Sequence, residues 1–456
     1  MKLLPVLLFA ICVSAPIASA DDRSKPNIIY LMADDMGWGD AGCYGQKHIQ
    51  TPNIDRLAKE GTRFTEVYAG ASVCAPSRSV LMTGQHLGHT RIRGNAGMVG
   101  GVGAQRRVPL EPADVTVAML LKQSGYATGI TGKWGLGEPD TEGIPNKKGF
   151  DEWFGYLNQQ HAHDYYTDYL WKNTERMTIE GNLNGQEKVY SHDLFAGFTL
   201  DFVRRHKGAP FFLYLAWTMP HQKYVVPSLE SYADKDWPQD YKVHAAMVTR
   251  LDRDLGRLMA LLKELGLDEN TVVFFCSDNG GVDRREGVLD SVGPFRGQKG
   301  SQTEGGLRVP MIVRWPGKVP AGQVSHAPWY FADVLPTLCE IGGAKVTGKV
   351  DGLSVLPTIL GRAQEELNTR PMYWEQYSGG FRQAVRTGKW KGHYLPAKDQ
   401  FELYDLSADQ MEKSDLAAQH PEVVQKMRAF MQTAHVPSPN WLATAPGKKA
   451  GKKAPR

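Results

Sequence analysis

Asn27-Ile28-Ile29-Tyr30-Leu31-Met32-Ala33 runs without a break into Asp34-Asp35-Met36-Gly37. A short apolar run that stops at carboxylates and a glycine reads as a buried strand emptying into a loop. Residues 128–131, 211–217, 272–277 and 310–315 repeat the pattern, each followed by polar or glycine-rich sequence. Amphipathic stretches lie between them. Residues 241–265 place Met247, Leu251, Leu255, Leu258, Leu262 and Leu265 at steps of three and four, the spacing of one helical face, and residues 115–123 and 192–205 read similarly. The alternation predicts an α/β fold, a large mostly parallel sheet covered by helices. Beyond about residue 365 the texture changes. Tyr373-Trp374, residues 383–385 and residues 401–404, separated by charged turns, predict a small antiparallel sheet closed by a helix over 421–431.

At the N-terminus an apolar run from Leu3 to Ile17 ends in Ala18-Ser19-Ala20. It is shorter than the ~20 residues a bilayer span needs, and its small-residue exit is that of a secretory leader. The expected division is a signal peptide at 1–20, a catalytic domain at 21–365, a C-terminal subdomain at 366–440 and a basic tail at 441–456. A secreted or periplasmic location and the absence of a membrane span follow from that reading. The formal charge of +4 owes six positive charges to Lys2, Lys448, Lys449, Lys452, Lys453 and Arg456, and without them it is −2. Net charge therefore gives no case for nucleic-acid binding. Cys43, Cys74, Cys276 and Cys339 are too sparse for a disulfide scaffold, and no Cys-x-x-Cys pair suggests structural zinc.

Function is expected just beyond the carboxyl ends of the strands, where open α/β sheets bind their ligands. Adjacent carboxylates repel, so Asp34 and Asp35 call for a cation or a proton if they are buried together. Alone, such a pair before a glycine is more often turn chemistry. A second strand end, Asp278-Asn279-Gly280-Gly281, changes the balance. All four side chains are hard oxygen donors without a histidine, a set that suits calcium better than zinc.

The segment Cys74-Ala75-Pro76-Ser77-Arg78-Ser79-Val80-Leu81-Met82-Thr83-Gly84 predicts a helix starting near Pro76, with Cys74 just before its positive end. A lone cysteine is more often a buried structural residue than a reactive one. This segment resembles the activation signature of the type I sulfatases, a branch of the alkaline phosphatase superfamily. Residues 125–134, Gly-Tyr-Ala-Thr-Gly-Ile-Thr-Gly-Lys-Trp, resemble the second signature of that family. Asp34-Asp35, Pro220-His221, Asp278-Asn279 and Lys299 fall in the family's order, and the resemblance spans about residues 26–405. It implies an alkaline-phosphatase-like fold and hydrolysis of sulfate monoesters. It further implies that a formylglycine-generating or sulfatase-maturing enzyme oxidises Cys74 to formylglycine, whose hydrated aldehyde is the nucleophile. A geminal diol can expel sulfate by re-forming its carbonyl, whereas a sulfated serine would be stable. By the same resemblance Asp34, Asp35, Asp278 and Asn279, with the modified Cys74, hold calcium. Arg78 supports the diol, and Lys133, His221 and Lys299 grip the sulfate and protonate the leaving alcohol.

One position departs from the family. Gly132-Lys133-Trp134-Gly135-Leu136-Gly137 has glycine where many members carry the histidine credited with taking the diol proton. His161 and His163 are the expected suppliers of a substituting or substrate-binding group, with His86 and His89 as alternatives. Arg93 and the aromatic residues Tyr165, Tyr166, Tyr169 and Trp171 are expected to meet a sulfated sugar, of galactose type in view of residues 88–95. The competing readings are a phosphomonoester or phosphonate hydrolase of the same superfamily, and a catalytically silent protein that binds anionic glycans.

Overall fold

The computed structural model describes residues 25–97, 99, 101–103, 105–282 and 288–443. The leader predicted at 1–20 and the tail beyond 443 lie outside the described residues. Eleven strands form the main sheet: β1 Asn27–Ala33, β2 Thr62–Tyr68, β3 Ala127–Lys133, β4 Glu152–Tyr156, β5 Tyr169–Lys172, β6 Glu175–Thr178, β7 Phe211–Ala216, β8 Thr271–Ser277, β9 Arg308–Arg314, β10 Gln323–Ser325 and β11 Trp329–Tyr330. Their order is β10-β2-β9-β8-β1-β7-β3-β4-β5-β6, with β11 also paired to β2. The centre, β8-β1-β7-β3-β4, is parallel throughout. The predicted strand at 310–315 becomes β9, which runs antiparallel to both β8 and β2.

Helices α1 Pro52–Glu60, α2 Cys74–Thr83, α3 Val117–Gln123, α4 Ser191–His206, α5 Gln239–Glu264, α6 Glu304–Leu307, α7 Val334–Gly342 and α8 Leu356–Ile359 accompany this sheet. Two apolar layers result, one on each face. Ile28, Tyr30 and Met32 of β1 enter one layer, and Ile29, Leu31 and Ala33 enter the other. A strand buried on both faces has no polar side to alternate with, which is why β1 reads as a continuous apolar run. Among the described residues, no helix is long and apolar enough to cross a membrane.

The C-terminal sheet is antiparallel, in the order β12 Pro371–Gln376, β13 Arg382–Thr387, β14 Trp390–Leu395 and β15 Gln400–Asp405. Helix α9, Pro421–Ala434, lays Met427, Met431 and Ala434 on Tyr373, Val385, Phe401 and Leu403. A buried charge network joins this sheet to α6, just before β9. Lys391 Nζ lies 2.6 Å from Glu304 Oε1 and 3.4 Å from Glu412 Oε1, and none of the three side chains is exposed. Arg308 Nη1 reaches the other oxygen of Glu304 at 3.1 Å.

Candidate active site

The site is assembled by register. Ala33 pairs with Ser277 at the carboxyl ends of β1 and β8, so Asp34-Asp35 and Asp278-Asn279 leave the sheet side by side. The Asp278 N–H donates to Ala33 O and the Asp34 N–H to Met219 O, both at 3.0 Å, which continues the ladder by one residue on each side. Asp35 then turns with φ +65°, a left-handed conformation costly for a non-glycine residue, and its N–H donates to Asp278 Oδ1 at 3.2 Å. Next in the sheet, β7 delivers the turn that carries His221, and β3 ends on Lys133.

Helix α2 begins at Cys74 itself, two residues earlier than its proline suggests, because Val73 is the extended N-cap residue and Pro76 sits within the first turn. All ten residues of α2 are buried. Ser77 fixes its aim: Oγ accepts from the Gly70 N–H at 3.1 Å and donates to Asp278 O. The Ala75 N–H is received by Asn95 Oδ1 at 2.9 Å, a partner the sequence reading did not find. Cys74 Sγ consequently lies 3.4 Å from Asp34 Oδ1 and is 1% exposed.

Around this centre, Lys133 Nζ donates to Asp34 Oδ2 at 2.7 Å. Arg78 Nε and Nη2 donate to Asp278 Oδ2 at 3.1 and 2.9 Å, and its Nη1 donates to Lys133 O at 2.6 Å. Lys299 Nζ donates to Asp35 Oδ2 at 2.6 Å and reaches His221 Nε2 at 2.9 Å. Since the ammonium can only donate, His221 Nε2 is the acceptor, which leaves Nδ1–H to donate to Gln222 O. Burial and the nearby lysines lower the His221 pKa against the pull of Asp35 and Asp34, in agreement with a neutral ring. Burial alone would raise Asp34 and Asp35. Lys133, Arg78 and Lys299 hold Asp34 well below the usual carboxylate range, and Lys299 holds Asp35 below it. Asp278 goes the other way, pushed up by burial and by Asp34. Burial and Asp34 also push the Cys74 thiol far up, so the unmodified side chain is a neutral thiol and a poor nucleophile.

Three carboxylates face three permanent cations here, and the donor set fits a hard divalent ion. Asp34, Asp35, Cys74 and His221 bring ligand-type atoms within 4.8 Å of one another. Asn279 is fully buried; its Nδ2 donates to Asp35 Oδ1 at 2.8 Å while its Oδ1 has no hydrogen-bond partner. An orphaned carbonyl oxygen beside carboxylates is what a bound oxygen-seeking cation would satisfy. Such an ion would also leave the pocket with surplus positive charge, a seat for an anion.

The structure divides the remaining expected residues. His163 stacks on His221 at 4.1 Å between ring centroids and is close enough to Lys133, Asp34 and Lys299 to feel their charges. His161 packs on Tyr156 and Tyr169, and its Nε2 bonds Thr167 Oγ1 at 2.6 Å, partners outside the ring around Cys74. Arg93 is held inside the protein. The residue is 4% exposed, and its guanidinium bonds Thr90 O, Gly88 O, Val436 O, Tyr377 and Glu375. Tyr165 is buried too, with its hydroxyl 2.7 Å from Thr218 O and 2.8 Å from His221 O, where it shapes the turn carrying His221. His86 and His89 group with Asp351 away from the ring around Cys74. Asp351 pairs with His89 Nδ1 at 2.9 Å, and His86 Nδ1 accepts the Gly88 N–H at 3.1 Å. Gly135 has φ +77°, and a Cβ there would lie 1.8 Å from Gln159 Nε2. The buried Gln159 carboxamide thus fills the space a side chain at 135 would take, and nothing in the sequence around it signals this.

The four cysteines of the described chain are all unpaired. Residues 26–344 match the sulfatase family profile, and residues 298–436 match that of the C-terminal region of N-sulphoglucosamine sulphohydrolase. The chain is 34% identical to N-acetylgalactosamine-6-sulfatase of Canis lupus familiaris over 436 residues, covering 88% of this chain and 78% of the relative. It is 33% identical to human arylsulfatase A over 462 residues, covering 88% and 86%. Among solved structures, Ps i-CgsB in complex with k-i-k-neocarrahexaose superposes with a TM-score of 0.79 at 30% identity, covering 92% of this chain and 95% of that one. Sequence, fold and the clustering of the signature residues agree, and the chain belongs to the sulfatase family of sulfuric ester hydrolases.

Proposed function

We propose that the protein hydrolyses sulfate monoesters on a galactose-type sugar, using a formylglycine made from Cys74 and a calcium ion held by Asp34, Asp35, Asp278 and Asn279. The observation that carries this reading is Cys74 Sγ at 3.4 Å from Asp34 Oδ1, inside a buried ring of carboxylates and cations. A cysteine packed there as a plain thiol would have no chemistry, since burial keeps it protonated. Galactose-type specificity is supported by the resemblance to an N-acetylgalactosamine-6-sulfatase and by the carrageenan oligosaccharide in the superposed structure.

Formylglycine would supply a hydrated aldehyde as nucleophile. Calcium would supply alignment and offset charge on the sulfuryl oxygens. The rest falls to side chains already in position. Arg78, clamped between Asp278 and the Lys133 carbonyl, holds the nucleophile's surroundings rigid. Lys133 and Lys299 flank it and bind the sulfate oxygens. The leaving alkoxide needs a proton: Lys299 Nζ carries one, and His221 Nε2, 2.9 Å away, shares it. The near-complete burial of Asp34, Asp35, Lys133 and His221 keeps bulk water from weakening these interactions. A secreted or periplasmic setting, reached through the leader and supplied by a maturing enzyme, completes the proposal.

The test is sulfate release from a panel of defined sulfated sugars, with 4-nitrophenyl sulfate and 4-nitrophenyl phosphate in parallel. Sulfate release from galactose or N-acetylgalactosamine sulfates is expected. A preference for the phosphate ester would defeat the assignment, as would an unmodified thiol at Cys74 in active enzyme by peptide mass spectrometry.

A further inference from the structure

Beside Cys74 lies a second constellation, built from loops and partly reached by solvent. Arg107 Nη1 donates to Asn95 O at 2.5 Å, and the side chain of that asparagine receives the N–H of Ala75, next to the nucleophile. Arg107 is thereby tied to the start of α2 and lies within electrostatic reach of Cys74. Its Nη2 donates to Gln105 Oε1 at 2.7 Å, and Gln105 Nε2 donates to Gln160 Oε1 at 2.5 Å. Glu138 faces the same arginine. Its Oε1 receives Asn158 Nδ2 at 2.7 Å and lies 3.8 Å from Arg107 Nε, too far for a hydrogen bond.

The placement is that of a ligand site. Glu138 follows β3 in the loop after Lys133, and Asn158 and Gln160 follow β4, so these residues stand beyond the carboxyl ends of adjacent parallel strands. Arg107 and Glu138 are mostly but not wholly covered, with side chains 12% and 16% exposed. Glu138 Oε2 and Arg107 Nε form no hydrogen bond among the described residues. Burial disfavours both charges, raising the Glu138 carboxyl and lowering the Arg107 guanidinium, and their mutual attraction with the Asn158 hydrogen bond offsets that cost only in part. The two form a loose ion pair and not a hydrogen-bonded one. This one presents an unused acceptor and an unused donor side by side. Sulfate, which only accepts, would satisfy the arginine and repel the glutamate. Neighbouring ring hydroxyls, which both give and accept hydrogen bonds, would satisfy both.

We infer that Arg107 and Glu138 form the subsite for the sugar ring that bears the ester, with Glu138 accepting one hydroxyl and Arg107 donating to another. The inference rests on the sulfated-sugar reading above and adds the residues that set its preference for sugars over simple esters. An aryl sulfate has no hydroxyls to offer this pair.

The experiment measures kcat/KM for galactose 6-sulfate and carrageenan oligosaccharides against 4-nitrophenyl sulfate, in the full chain and in Arg107→Ala, Glu138→Ala and Glu138→Gln. A lost hydrogen bond to a charged group lowers discrimination about tenfold to a hundredfold. The ratio of sugar to aryl efficiency is expected to fall at least tenfold in both alanine variants, mainly through KM. Glu138→Gln keeps an oxygen for Asn158 and for a hydroxyl, so it is expected to lose less. Circular dichroism and thermal midpoints identify any variant that misfolds, and Glu138→Gln then carries the comparison. In a wild type that cleaves both kinds of ester, an unchanged ratio overturns the subsite alone. A wild type that cleaves the aryl sulfate and no sulfated sugar overturns the sugar reading, and the subsite with it.

Discussion

Replacing Gly135 with alanine tests whether this glycine and Gln159 share one space. Two costs are separable in the structure. The first is conformational: at φ +77° a residue with a Cβ loses about 1–2 kcal/mol relative to glycine. The second is steric. The new Cβ would stand 1.8 Å from Gln159 Nε2 and 2.7 Å from its Cδ, an overlap that Gln159 must relieve by moving within a packed wall where it is 3% exposed. Overpacking of this kind costs about 1–3 kcal/mol. Gly135→Ala is therefore expected to lose roughly 2–5 kcal/mol. Gln159→Ala alone should be mild, because Nε2 and Oε1 have no hydrogen-bond partners to lose. In the double variant the conformational cost remains and the steric cost vanishes, a coupling of about 1–3 kcal/mol. Urea unfolding of the four proteins, followed by tryptophan fluorescence, measures each term. A Gly135→Ala protein within about 0.5 kcal/mol of its parent, or strict additivity in the double variant, would refute the shared space. The same cycle with Gly135→His asks whether the histidine of other sulfatases fits here once Gln159 is trimmed.

Cys74→Ala should abolish sulfate release while leaving the far-ultraviolet circular dichroism unchanged; residual turnover above a few per cent of the parent would remove the cysteine from the mechanism. A strong chelator should abolish activity and lower the thermal midpoint, and added calcium should restore both, since an ion bound only to the folded state stabilises it; indifference of both readouts would count against the Asp34, Asp35, Asp278 and Asn279 set. Lys391→Met should cost about 3–5 kcal/mol by leaving Glu304 and Glu412 buried without their common cation, measured as a shift in the urea midpoint. Lys391 and His393 hold Glu412 down to about 2 against its burial. A depressed carboxylate contributes stability that is present above the unfolded value near 4.5 and is lost as pH falls toward 2. Stability should therefore decline over that acid window in the parent and decline less steeply in Lys391→Met; parallel curves would show that this network is not the source.

The parallel centre of the sheet was legible because strands buried on both faces write themselves as unbroken apolar runs, as β1, β7 and β8 do. β2, with Arg63 and Glu66 among its apolar residues, does not, and neither do the short, partly exposed β5 and β6. β14 hides for another reason: Lys391 and His393 look like surface residues until Glu304 and Glu412 are seen to neutralise them. In the site, the strand-end carboxylates and Cys74 could be read from local pattern, and the ring that Arg78, Lys133, His221 and Lys299 complete matches the family order. What local pattern cannot carry is direction. His161 and His163 are two residues apart on one turn and take different partners, Thr167 and His221, while Arg93 and Tyr165 look like surface ligands and are internal struts. Arg107 and Glu138 meet only because loops distant in sequence converge.

The position of Cys74 as the first residue of a wholly buried helix sets an order of events. With 1% of its surface open, the thiol offers no handle to a second macromolecule once α2 has docked onto Asp278. Any enzyme that alters this side chain must meet it as extended chain, before α2 forms, so chemistry at one sulfur becomes a race against folding. On the formylglycine mechanism proposed above, a host lacking that enzyme would lose the race every time and accumulate a stable, well-folded and inert protein, for which solubility and yield would be no guide to activity.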